Sequence, residues 1–136
     1  MKKLVILLLL PVFILSCAQV ENAINKDPKQ YIPKTEKYGN FAFIIPANFE
    51  LKEDASIIYK QGKNVRAYLV YEGHGSIEKI ANFLDQSLQK LGWNKSSELI
   101  GNSAAILVYK RDNQMIIYKI ERLITGTFIK VLLTCA

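Results

Sequence analysis

The side chains best suited to chemistry in this 136-residue chain are two cysteines, Cys17 and Cys135, one histidine, His74, and the adjacent acids Glu53 and Asp54. A serine, threonine or cysteine nucleophile needs a base within hydrogen-bond reach, and His74 would have to be that base; no nucleophile-elbow motif accompanies it. His74 stands between Gly73 and Gly75, and glycine-flanked loops at helix starts can hold anions on free backbone amides. The segment lacks the longer phosphate-loop pattern, however, and glycines before a helix serve the backbone angles of the turn equally well. No second histidine or cysteine pair offers metal ligands at useful spacing. Glu53 and Asp54 are neighbours in a polar turn, where solvent exposure is the default; a glycosidase-type pair of acids facing each other across a cleft is left open. The expectation is a protein with no catalytic residues, no metal and no cofactor.

Cys17 has a different setting. Lys2 and Lys3 are followed by the apolar run Leu4 to Leu15, then by Ser16 and Cys17. The run is shorter than the ~20 residues of a spanning helix and contains Pro11. Ile14-Leu15-Ser16-Cys17 resembles the lipobox of bacterial lipoproteins, with an aliphatic residue three before the cysteine and a small one directly before it. The resemblance implies cleavage between Ser16 and Cys17, diacylglycerol on the Cys17 thiol and acylation of the new amino terminus. Two or three acyl chains hold a protein to a membrane far more firmly than one. Ala18 and Gln19 follow the cysteine in place of Asp, which by analogy with enteric bacteria implies the outer membrane, facing the periplasm, in a double-membraned cell. The alternatives are a plain membrane anchor or an ordinary secretory signal with an incidental cysteine.

Removing residues 1–16 takes away two lysines and no acid, so the net charge falls from +6 to +4. The lysines are scattered, the pattern of a solvated surface and not of a nucleic-acid footprint. What remains is enough for one domain and too little for two. With Cys17 lipidated, Cys135 has no intramolecular partner and no disulfide framework supports the fold; an intermolecular disulfide is the alternative.

These residues must be positioned by the elements around them. Residues 17–39 are polar and interrupted by Pro28 and Pro33, and read as the lipidated N-terminus and a tether, partly extended. Residues 40–136 read as the domain. It begins with Phe41 to Pro46, in which Phe41, Phe43 and Ile45 share a face and Pro46 limits the strand to an edge. Ser56 to Lys60 and Val65 to Tyr71 flank the turn signal Gln61-Gly62-Lys63-Asn64 and predict a hairpin. Ser76 is a helix N-cap; Ile77, Ile80, Leu84, Leu88 and Leu91 form an apolar stripe; Glu78 and Lys90 suit the helix dipole; Gly92 supplies the stop. Ser97 to Ile100, Ala104 to Lys110, Gln114 to Arg122 and Thr127 to Cys135 follow, the last three as an antiparallel meander.

The expected fold class is α+β, a two-layer domain with a single helix packed on an antiparallel sheet in the order β-β-β-α-β-β-β. A closed barrel capped by the helix is the alternative. The polar tether, Val70-Tyr71-Glu72-Gly73, the amphipathic helix, Leu91-Gly92-Trp93 and Leu107-Val108-Tyr109-Lys110 are together similar to small bacterial envelope lipoproteins, a resemblance that implies an envelope-anchored module with no defined reaction.

Trp93, directly after the helix stop, is expected to cover the end of the core, with contact to a sugar or a partner as the competing role. Tyr59, Tyr68, Tyr71, Tyr109 and Tyr118 fall in strands, where aromatics fit cross-strand packing. Those on the helix-free face could join Phe128 and Leu132 in an exposed apolar patch, so Trp93, Phe128 and Leu132 are the candidate interaction residues. The expected function is a non-catalytic, lipid-anchored envelope module for protein interaction or structure. It would be held to the membrane by its anchor, have an envelope protein as partner and bind no nucleic acid. A binder of a lipid or glycan held between helix and sheet is the alternative, and an unrecognised enzyme the third reading.

Overall fold

A computed structural model describes residues 27–135, so Ser16 and Cys17 lie outside the described residues. Among the described residues there are nine strands, one α-helix and one short 3-10 helix. The strands are β1 (Pro33–Tyr38), β2 (Phe41–Pro46), β3 (Glu50–Leu51), β4 (Ile57–Gln61), β5 (Asn64–Gly73), β6 (Asn94–Ile100), β7 (Ala104–Arg111), β8 (Gln114–Leu123) and β9 (Gly126–Cys135). The helix α1 spans Ile77–Lys90, and the 3-10 turn is Glu53–Ala55. The molecule is α+β, mostly antiparallel sheet with one helix.

The expected order of three strands, helix and three strands is incorrect in detail. Five strands precede the helix and four follow it, in two sheets. The larger sheet runs β3-β5-β9-β8-β7-β6, with β4 beside β3 along the same edge of β5. The smaller is the hairpin β1-β2. The tether boundary at residue 39 is also corrected, because Pro33–Tyr38 pairs with β2 over its whole length. β1 is an outer strand whose Pro33, Thr35 and Lys37 face solvent while Lys34, Glu36 and Tyr38 are half-buried, so its polar composition suits a strand with one solvated side as well as a linker.

Local chemistry explains the helix. The Lys79 amide donates to Ser76 Oγ at 3.3 Å, capping the first turn. At the other end the Gly92 amide donates to the Gln89 carbonyl and the Trp93 amide to the Leu88 carbonyl, each at 3.1 Å, with Gly92 at φ +88°. This pair of bonds is the Schellman stop, and a left-handed residue is needed to make it. Ile77, Ile80, Ala81, Leu84 and Leu88 are buried. Each large aliphatic so buried contributes roughly 1.5–3 kcal/mol relative to exposure.

The sheet face they cover carries Leu69 and Tyr71 from β5, Leu107 and Tyr109 from β7, Ile116, Tyr118 and Ile120 from β8, and Ile129, Val131 and Leu133 from β9, all fully buried. The β1-β2 hairpin covers the same face beside α1 and is tied down by two backbone-directed bonds. Tyr118 Oη donates to the Ile44 carbonyl at 3.1 Å, and Trp93 Nε1 donates to the Ala42 carbonyl at 2.9 Å. The space between helix and sheet, where a lipid or glycan was expected as the alternative, is filled by this core.

Candidate interaction surface

The other face of the large sheet has no covering layer among the described residues. Register places Ile57, Tyr68, Leu132, Ile117 and Val108 directly opposite one another across β4, β5, β9, β8 and β7. Ile57 is 69 % exposed, and Tyr68 and Leu132 are each 39 % exposed; Ile117 and Val108 are half-buried by their neighbours. Ile106 and its β6 partner Leu99, also exposed, extend the apolar character toward the far edge. An uncovered row of this kind arises because β-strands alternate their side chains, and these strands carry apolar residues on both faces.

Charged groups border the row. Lys119 and Lys130 are directly opposite across β8 and β9, an arrangement that repels unless a counter-charge intervenes. Glu121 supplies it, with its carboxylate 2.6 Å from Lys119 Nζ and 3.0 Å from Lys130 Nζ. These two ammonium donors hold the Glu121 carboxyl below its ordinary value of 4.5, because they bond to the charged form. A carboxyl with a depressed folded pKa adds stability above its unfolded value, and that stability is lost as pH falls through the folded value. Glu121→Gln is therefore expected to cost at most about 1 kcal/mol at pH 7 and to flatten the loss of stability below pH 4.5. Urea midpoints of wild type and variant at pH 7 and pH 3 check this; an unchanged acid slope would count against it.

On the same face Phe128 is half-buried beneath Lys52, whose Nζ lies 5.8 Å from the ring centroid and 3.0 Å from a Glu72 carboxylate oxygen. Lys52, Tyr68, Val70, Leu123, Phe128 and Lys130 are among the residues that line a shallow apolar depression of about 280 Å³, so Leu123 joins this face to the β8-β9 turn. Phe128 and Leu132, both expected here from sequence, do share this face.

Trp93 does not join them. It is 1 % exposed, with its indole bonded to the hairpin backbone and the Arg111 guanidinium 4.4 Å from its ring centroid, so an accessible-surface role is corrected. The Schellman stop turns it inward, and only the indole nitrogen's distant partner, Ala42, reveals why a tryptophan is placed there. Among the tyrosines, Tyr59 and Tyr68 are exposed and Tyr71, Tyr109 and Tyr118 are buried. Burial pushes the phenols of Tyr71, Tyr109 and Tyr118 up, so they stay protonated; those of Tyr109 and Tyr118 act as donors, Tyr109 Oη to Asp85 at 2.9 Å.

His74 is exposed in the turn between β5 and α1, where its carbonyl accepts from Asn48 Nδ2 at 2.9 Å. It borders an open groove with Glu50, Glu53, Asp54 and Glu72, and a second, smaller one with Asp27, Arg122, Thr125 and Thr127, where the Thr127 hydroxyl donates to the Gly75 carbonyl at 2.8 Å. Gly73 is required for close approach: a Cβ there would lie 2.8 Å from the Phe49 ring and 2.9 Å from the Asn48 carbonyl. Glu53 and Asp54 are exposed in the 3-10 turn. No group of three or more His, Cys, Asp or Glu residues converges on a metal position among the described residues. Cys135 is an exposed free thiol at the end of β9.

The sequence reading missed Ile57, Ile106, Val108 and Ile117 as members of the exposed row. Their strands alternate apolar with apolar, which marks two apolar faces without saying which is covered. No protein-family model, curated protein or solved structure matches this chain.

Proposed function

We propose that this chain is a lipid-anchored envelope module, without catalytic activity, that binds another envelope protein through the helix-free face of its sheet. The observation that carries this reading is the row Ile57, Tyr68, Leu132, Ile117 and Val108, apolar across five strands and covered by nothing on its own chain among the described residues. A contiguous apolar patch with a charged border is the usual character of a protein-association surface. The flanking Lys119–Glu121–Lys130 cluster suits the polar rim of such a contact, where charges set orientation more than affinity. The anchor part rests on the lipobox-like residues Ile14 to Cys17.

A photo-crosslinking residue at Leu132 or at Tyr68, introduced into the full chain in its native cells, is expected to yield a discrete adduct. The same residue at Gln86, exposed on α1, is expected to yield none. Leu132→Asp should abolish the Tyr68 adduct while costing about 1–2 kcal/mol of folding stability, from lost cross-strand packing against Tyr68 and Ile117 and the low strand propensity of Asp, so the variant stays folded. Recovery of monomer alone from both sheet positions, or equal adducts from Gln86, would sink the reading.

A further inference from the structure

The two ends of the large sheet differ in chemistry. At one end lie the β4-β5 turn with Gly62-Lys63, the β7-β8 turn with Asp112-Asn113, and the C-terminal end of α1 with Lys90, all polar. At the other end lie the β5-α1 turn, with Glu72, His74 and the acidic groove beside them, and the β6-β7 and β8-β9 turns, each of which begins with a pair of adjacent aliphatics. Leu99 and Ile100 are 71 % and 47 % exposed, and Leu123 and Ile124 are 54 % and 106 % exposed. Ile124 is the most exposed large apolar side chain described and stands at the apex of the β8-β9 turn. The strands separating the two ends are up to ten residues long, roughly 30 Å.

The start of the described chain lies at the aliphatic end. Asp27 Oδ2 is 3.9 Å from Arg122 in the same turn region, and β1 runs from this end toward the other. Residues 18–26 separate Asp27 from Cys17, a reach of roughly 30 Å when extended. A lipid on Cys17 would therefore join the domain at this end and shorten its average distance to the bilayer relative to the polar one.

We propose that the aliphatic end of the sheet seats on the lipid surface, with Leu123 and Ile124 entering the interface between head groups and acyl chains. The orientation rests on the reading of Cys17 as the lipid anchor. Association through the turn is apolar: between Arg122 and Thr127 the only charged side chain is Arg122, which faces Asp27. The β8-β9 hairpin satisfies its own backbone pairing up to Leu123 and Gly126, so the tip exposes few unpaired polar groups to lipid. Seated in this way, the strands stand away from the membrane and the helix-free face remains open to a partner beside it.

The test uses the full chain, expressed with its own N-terminal segment in a bacterial host that processes lipoproteins and reconstituted into vesicles of phosphatidylethanolamine and phosphatidylglycerol. In a Cys135→Ser background, Ile124→Cys and, at the far end, Asn113→Cys each carry an environment-sensitive fluorophore, with spin-labelled lipid as the quencher. The label at 124 is expected to be quenched several-fold more than that at 113, and raising the salt to about 0.5 M should leave this unchanged, since screening does not weaken an apolar contact. Equal quenching at the two ends overturns the proposal, as does proximity between labels of two copies in place of lipid quenching. The intact mass of the same preparation reports separately on Cys17. Acylation with equal quenching rejects the seated tip alone, and an unacylated chain whose 124 label is still quenched rejects the anchor alone.

Discussion

Replacing Trp93 by alanine is expected to remove about 3–5 kcal/mol of folding stability, a large share of the 5–15 kcal/mol that holds a domain of this size together. Three interactions end at once. The indole fills the junction between α1, β2 and the sheet at 1 % exposure, its Nε1 bonds the Ala42 carbonyl across fifty-one positions of sequence, and Arg111 stacks on its ring. The alanine variant leaves a cavity and an unpaired carbonyl. Trp93→Phe keeps much of the apolar contact but loses the hydrogen bond and part of the ring volume, so it should cost about 1–3 kcal/mol. Guanidinium unfolding followed by far-ultraviolet circular dichroism, which does not depend on the tryptophan, separates the two variants. A loss under about 1 kcal/mol for Trp93→Ala would contradict the burial and tie described above.

Leu84→Ala, at the centre of the α1 stripe, is expected to cost about 2–5 kcal/mol, because its side chain is wholly enclosed between helix and sheet. Gln86, two positions on, points to solvent, and Gln86→Ala should lie within about 0.5 kcal/mol of wild type. The ratio of these two effects tests the seating of the helix independently of any binding function. If the two substitutions cost the same, the helix does not seat on the sheet by this stripe. Both measurements are thermal or chemical denaturation of the unliganded chain.

The helix was legible because its determinants are local. Ser76 caps it, the three- and four-residue spacing from Ile77 to Leu88 defines its buried stripe, and Gly92 ends it, all within seventeen residues of chain. The last three strands were legible within one residue at each end for a similar reason, since Arg111-Asp112-Asn113 and Ile124-Thr125-Gly126 are turn signals by residue type, whereas β6 begins at Asn94, three residues before the expected Ser97. The strand Pro33–Tyr38 was not legible. Its polar alternation is that of a solvated outer strand as much as of a linker, and only its pairing with Phe41–Pro46 distinguishes them.

The candidate surface was legible in part for a related reason. Phe128 and Leu132 could be placed on the face opposite Ile129 and Val131 by alternation alone. That Ile57, Tyr68, Ile117 and Val108 join Leu132 in one row depends on strand order and register, which relate residues up to seventy-five positions apart. Trp93 was equally ambiguous, since an aromatic after a helix stop can turn in or out, and the acceptor that turns it in belongs to β2.

By itself the sequence determined the α+β class, the helix and its caps, and the antiparallel meander. Each of these rests on residues within one or two turns of chain, where propensity and periodicity act. The tertiary structure alone decided the second sheet, the burial of Trp93, the uncovered apolar row and the aliphatic end beside Asp27. Alternation says that a strand has two faces, but only the placement of distant segments decides which face the helix and hairpin cover and which is left to meet something else.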